Sequence, residues 1–148
     1  MLTNLSALRA SIFASSILVV ALVTLEISRL TTPPANYSQR HPSNIMLVYV
    51  GAEDCGPCKV WQRNQGAAFR DSAEFRRLTY REVESPSLFD LLNDENWPAD
   101  LRVYRRSIRR GAGAPLWLLV ADNKLVMQNF GLSQWDETVL PKIRSLLH

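Results

Sequence analysis

Hydrophobic and polar positions fall into blocks along this chain, and the period of each block predicts an element. "IMLVYV", residues 45–50, is a short unbroken apolar run rich in β-formers, the signature of a strand buried on both faces, with Gly51 closing it. Helical character follows from Cys55 to about Gln65, and "DSAEFRRL" from Asp71 resumes it with Asp71 or Ser72 as N-cap. "LTYREVE", residues 78–84, alternates loosely as a strand, and Ser87 is placed to cap a short helix through Leu92. Leu101, Tyr104 and Ile108 in "ADLRVYRRSIRR" have helical spacing, after the break at Trp97-Pro98. "PLWLLVAD" and "KLVMQNFG" predict two apolar strands joined at Asp122-Asn123, a hairpin signal. "SQWDETVLPKIRSLL" predicts a closing helix with Ser133 as N-cap and Trp135, Val139, Ile143 and Leu146 inward. Pro141 inside it calls for a kink or a late start. The order of elements, with a buried first strand and a terminal hairpin, implies an α/β fold: a mixed sheet flanked by helices on both faces.

The first 44 residues do not belong to that core. Ser11–Leu25, "SIFASSILVVALVTL", carries no charge and is preceded by Arg9. Its length suits the apolar part of a signal peptide, whereas the absence of small residues before a cleavage point suits an uncleaved anchor. Residues 1–30 are therefore expected to be a signal-anchor or signal peptide, forming an N-terminal hydrophobic helix that meets the membrane through residues 11–25. Residues 31–44, "TTPPANYSQRHPSN", hold three prolines without apolar periodicity and are expected to be a tether, leaving 45–148 as the folded domain. Either membrane reading exports that domain. It would lie on the periplasmic side of an inner membrane if anchored, and in the periplasm or the medium if cleaved.

Composition narrows the function classes. The chain has 148 residues, 47% of them hydrophobic and 21% charged, which suits one packed domain. Seventeen basic residues against 14 acidic ones is a mild excess that gives no general argument for nucleic acid. The histidines, His41 and His148, stand in the tether and at the last residue, where they supply no rigid zinc-ligand spacing, so neither a metal site nor a cofactor is expected.

Cys55 and Cys58 are the only cysteines, separated by Gly56 and Pro57 at a predicted helix start. A thiol at the N-cap faces unpaired backbone N–H groups and the positive end of the helix dipole, which favour its thiolate. Cys58 follows nearly one turn later, close enough to attack a mixed disulfide. Gly56 permits the tight turn, and Pro57 in the first turn gives up an N–H that would have had no helical partner. Lys59 adds a positive charge, opposed by Glu53 and Asp54.

At these residues the chain resembles the thioredoxin superfamily. "LVYVGAEDCGPCK" is similar to that family's active-site strand and helix, and "GAPLWLLVADNKLVMQNFG" to its later hairpin, with Pro115 at the place of the family's cis-proline and Gly131 at that of a glycine ending the next strand. The resemblance covers roughly residues 45–147. It implies a thioredoxin-like fold, Cys55 as exposed nucleophile and Cys58 as resolving thiol. Gly56, Pro57, Ala114 and Pro115 would then meet the substrate, the backbone at Ala114-Pro115 pairing with an incoming strand. The chain departs from the family's pattern in three places. Asp54 stands where an aromatic residue often precedes the first cysteine. Tyr49 occupies the place of a buried carboxylate, leaving water or Glu53 to take the Cys58 proton. The connection "NDENWPADLRVYRRSIRRGAG" is long.

Arg102, Arg105, Arg106, Arg109 and Arg110 fall within nine residues that contain no acid, and on a helix they would line much of one side. They are a solvated face or a docking surface for an acidic partner. Trp61, Trp117 and Trp135 are expected in the core, with Trp97 partly exposed near the groove. The sequence reading is thus an exported thiol–disulfide oxidoreductase that reduces protein disulfides through the Cys-Gly-Pro-Cys dithiol. Its partners would be a disulfide-containing protein and a membrane thiol-electron donor, with no nucleic acid. The alternatives are a membrane-anchored binding module and a copper-handling protein using the same thiols.

Overall fold

The computed structural model describes residues 41–148, which form one compact unit. The expected signal-anchor or signal peptide, its hydrophobic helix and residues 31–40 of the tether lie outside the described residues. Among the described residues no helix is long and apolar enough to cross a membrane.

Four strands form one sheet in the order β2-β1-β3-β4: β1 (Ile45–Ala52), β2 (Thr79–Ser85), β3 (Leu116–Ala121) and β4 (Lys124–Phe130). β1 runs parallel to β2 and antiparallel to β3, and β3 and β4 make the hairpin, so the sheet is mixed. The two central strands are the two apolar runs of the sequence, and β3 is buried at every position. Gly51 and Ala52 continue β1 instead of ending it, pairing with Glu84 and Ser85. The hairpin turns at Asp122 (φ 47°) and Asn123 (φ 63°), left-handed conformations that Asp and Asn tolerate and that match the twist of the strands. Ser43 N, Ser43 Oγ and Asn44 N all donate to Asp122 Oδ1, at 3.0, 2.9 and 3.1 Å, so the chain entering β1 is tied to that turn.

One sheet face is aromatic. Tyr49 and Trp117 are cross-strand partners. Trp61, from helix α1 (Gly56–Arg63), stacks on Tyr49 with ring centroids 4.8 Å apart and meets Trp117 and Trp135 edge-on at 5.6 and 4.9 Å. Helix α2 (Gln65–Arg70) follows α1 directly, and its Phe69 packs edge-on against Trp135 at 5.0 Å. The helical stretch expected from Asp71 shrinks to the 3-10 turn Phe75–Arg77, in which Ser72 Oγ accepts from Phe75 N at 3.2 Å.

Val48, Val50, Leu116 and Leu118 point to the other face and are buried as well. The connection from β2 to β3 supplies four more large core side chains, Leu91, Trp97, Leu101 and Tyr104. Its covering is less helical than the periodicity predicts: two 3-10 turns, Leu88–Asp90 and Asp94–Asn96, and a four-residue helix α3 (Arg102–Arg105). Trp97 is 1% exposed, not partly open, and its Nε1 donates to Leu91 O at 2.9 Å.

The chain closes with a π-helical turn, Trp135–Val139, running into helix α4 (Leu140–Leu147). Pro141 lies in the first turn of α4, so its missing N–H is accommodated by the widened turn before it. Trp135, Val139 and Ile143 face inward as the spacing predicts, but Leu147 completes that face and Leu146 is only partly buried. Ser133 does not cap this helix with its side chain. Gln134 organises the start instead, its Oε1 accepting from Asn129 Nδ2 and Thr138 Oγ1.

Candidate active site

The C-terminal ends of β1 and β2 and the start of β3 lie together, because Ala52 pairs with Ser85 and Val50 with Leu116. The chain leaves β1 through a turn in which Cys55 N donates to Ala52 O at 3.1 Å, and Cys55 becomes the N-cap of α1 with extended backbone (φ −83°, ψ 102°). Its Sγ accepts a hydrogen bond from Cys58 N at 3.1 Å. That N–H is one of the orphan donors of the helix start, the partner a thiolate would have in the reduced protein.

Here the two cysteines are joined in a disulfide with Cα atoms 5.2 Å apart. Each is 1% exposed in the disulfide, whereas the resemblance implies an exposed Cys55. In the disulfide its sulfur is turned inward, toward Cys58 and the Cys58 N–H. The solvent-facing part of the motif is Gly56 and Pro57.

The Ala114-Pro115 peptide bond is cis. Pro115 directly precedes β3, whose first residue Leu116 pairs with Val50, at the same end of the sheet as Cys55. Pro115 is buried, its carbonyl accepts from Gly131 N at 2.9 Å, and Ala114 is partly exposed. Gly131 has φ 98°, a conformation that suits glycine at the strand's end. The structure thus brings Cys55, Gly56, Pro57, Cys58, Ala114 and Pro115 to one edge of the molecule.

Tyr49 lies in the layer beneath, its ring against Trp61 and over Gly51, where no side chain could be accommodated. Its hydroxyl is buried without a hydrogen-bond partner among the described residues. The Gln62 side chain lies nearby without bonding to it. Burial first, then the Glu84 and Glu82 carboxylates, push the phenol well above its ordinary range. It stays neutral wherever thiols titrate, and it is no substitute for a carboxylate base.

The arginine run does not form one helical face. Arg102 Nε donates to Trp97 O at 3.1 Å, Arg105 pairs with Asp94 and donates to Leu92 O, and Arg109 bonds Gln128 through its backbone N and its guanidinium. Three of the five therefore hold the β2–β3 connection in place. Arg106 and Arg110 are exposed, and Arg109 and Arg110 line a cleft of about 210 Å³ with Leu116, Gln128 and Phe130.

Two features near the cysteines have no counterpart in the sequence patterns. Asp54, the residue before Cys55, accepts from Leu88 N at 2.8 Å and from Ser87 Oγ at 3.2 Å. Ser85, the buried polar residue at the end of β2, donates to Ser87 O at 2.8 Å. The one local signal was Ser87, which does cap its turn, accepting from Phe89 N at 3.2 Å.

Among solved structures the chain is similar to the short form of thioredoxin f from spinach chloroplast, at 16% identity and TM-score 0.50, over 73% of this chain and 80% of that one. It is also similar to the thioredoxin of Malassezia sympodialis (13%, TM-score 0.48, 71% and 79% covered) and to that of Trypanosoma brucei brucei (16%, TM-score 0.47, 72% and 78% covered). No protein-family model matches the sequence, and no curated protein matches it. The first likeness establishes the thioredoxin fold.

Proposed function

We propose that this protein is a thiol–disulfide oxidoreductase that reduces disulfides of partner proteins outside the cytoplasm. The observation that carries the reading is the Cys55–Cys58 disulfide at the start of α1, with the Cys58 N–H on the Cys55 sulfur. A staple closing so short a loop removes little entropy from the unfolded chain, so stability is a poor reason for placing both cysteines here. A helix N-terminus that stabilises one thiolate, with a second thiol one turn away, is what exchange chemistry needs.

In the reducing direction the Cys55 thiolate attacks one sulfur of the partner's disulfide. That S–S bond breaks, and the other partner sulfur leaves as a thiolate that takes a proton from water. Cys58 then loses its proton and attacks Cys55 Sγ, forming the intramolecular disulfide and releasing the second partner thiolate. Two electrons pass to the partner. With Tyr49 neutral and buried, the Cys58 proton goes to water or to exposed Glu53. A dithiol donor must reduce the pair again, and the uncharged run Ser11–Leu25 supports a donor at the membrane and a domain held on its outer side. Exposed Arg106 and Arg110 offer a basic patch to an acidic partner.

The test is a pair of serine variants. Cys55→Ser should abolish exchange and Cys58→Ser should accumulate mixed disulfides with partner proteins, read on non-reducing gels. If Cys58→Ser traps nothing while Cys55→Ser keeps its activity, the roles are wrong. A reduction potential near roughly −120 mV instead of roughly −270 mV would reverse the direction to oxidation.

A further inference from the structure

We infer that Phe89 is a specificity-determining residue of the dithiol site: a turn clamped to Asp54, the residue before Cys55, presents its ring to solvent as the apolar contact for the disulfide-bearing partner. The inference rests on the thiol–disulfide reading above and names what the partner must carry, an apolar side chain next to its cystine.

Phe89 is 97% exposed and Leu88 beside it 43%. A phenylalanine ring standing wholly in water forgoes the burial that normally makes aromatic residues profitable, and an apolar pair exposed at one spot points to a surface that something covers. The turn that carries it is well tied. Glu53 N donates to Ser85 O at 3.0 Å, and Ser85 Oγ holds Ser87 O. Ser87 Oγ accepts from Phe89 N and donates to Asp54 Oδ2, and Asp54 Oδ1 accepts from Leu88 N. The backbone N–H groups of both apolar residues are thus satisfied within the turn, and the carboxylate that anchors it belongs to the residue bonded to Cys55.

Because the clamp and the nucleophile are consecutive residues, the turn that carries the ring borders the path of a protein to the Cys55 sulfur. The backbone that carries the ring is already held in place, so docking orders little beyond the side chain and the ring's burial counts toward affinity. Pro57 and Val60 of α1 are also exposed, extending the apolar surface along the helix. Continuity with the dithiol is what selects a substrate protein over a lipid surface or a second copy of this chain.

The experiment uses the full-length chain, reduced with dithiothreitol and freed of it, in single-turnover exchange with three probes. They are a disulfide-bonded peptide with leucines flanking the cystine, the same peptide with serines, and hydroxyethyl disulfide. Wild type should half-saturate at about tenfold lower concentration of the leucine peptide than of the serine peptide, the ratio that burial of about half a ring provides. Phe89→Ala should erase that preference by weakening the leucine peptide alone, with the maximal rate and the hydroxyethyl disulfide rate retained, and Phe89→Trp should restore it.

A Phe89→Ala variant that keeps the preference overturns the inference. So does one that slows all three probes equally, since the ring would then prop the site. So does one that leaves the kinetics alone but dissociates a dimer in sedimentation or releases the chain from lipid vesicles. Wild type that exchanges with every probe without discriminating between the peptides overturns the docking role only. Wild type that exchanges with none overturns the oxidoreductase reading and this inference together.

Discussion

Replacing Tyr49 by phenylalanine removes a single oxygen, and the structure predicts that the protein gains stability from it. The hydroxyl is buried and unpartnered, and burying such a group costs about 1–3 kcal/mol. The void left by one oxygen costs only a few tenths of a kcal/mol at about 24 cal/mol per Å³. The ring itself keeps its stack on Trp61, so the net expectation at about pH 7 is a gain on the order of 1 kcal/mol. The gain should widen with pH. Burial and the Glu84 and Glu82 carboxylates raise the folded-state pKa of Tyr49 above the ordinary value near 10. A raised acid contributes stability that is fully present below the unfolded value and is lost as pH rises toward the folded one. At about pH 11 the unfolded chain gains about 1.4 kcal/mol by ionising this phenol while the folded chain gains nothing, so the advantage of the variant should reach roughly 2.4 kcal/mol. Tyr80, raised by its own burial and by Glu82, is present in both proteins and nearly cancels, since Tyr49 is only the smallest cause of its shift. Urea unfolding of both full-length proteins with the disulfide intact, followed by tryptophan fluorescence, measures the difference at each pH. A variant less stable than wild type at neutral pH would mean that the hydroxyl has a partner, and a difference that does not grow with pH would mean that the folded phenol ionises normally. Either result refutes the reasoning.

Two further perturbations address the frame around the site. Gly66→Ala would put a Cβ 2.9 Å from the Trp61 ring and 3.0 Å from the Trp61 carbonyl, where backbone cannot yield, so it should destabilise the protein by about 1–3 kcal/mol in urea unfolding; an unchanged midpoint would show that α2 slides freely over Trp61. Asp122→Ala removes the acceptor for Ser43 and Asn44, and it also strains a backbone at φ 47°, so it should lower the melting temperature. The bonds from Ser43 and Asn44 hold the Asp122 carboxyl below its ordinary range, so its contribution is present above about pH 4 and is lost as pH falls further. The gap between wild type and variant in thermal melts should therefore narrow in acid, and a gap independent of pH would assign the effect to the turn conformation alone.

Much of this architecture is decided by local physics, and that part is legible in the sequence. Two unbroken apolar runs, short and rich in β-formers, read as strands covered on both faces, Asp122-Asn123 can take the left-handed turn a hairpin needs, and Pro57 and Gly56 mark a helix start with Cys55 at its cap. Each of those statements involves residues within a few positions of one another. The β2–β3 connection behaves otherwise. Its Leu101, Tyr104 and Ile108 have helical spacing, yet the backbone makes one short helix that runs on into tight turns, and Arg102, Arg105 and Arg109 reach carbonyls and Asp94 instead of forming a continuous charged face. The surroundings of the cysteines are decided over longer distances still. Asp54 holds a turn 34 residues away, the Tyr49 hydroxyl is buried without a partner beside Trp61 and Gly51, and Phe89 stands in water on the turn that Asp54 anchors. A periodicity reports which side of an element is apolar; which polar atom meets which, and which ring is left uncovered, exists only once distant segments have been brought together.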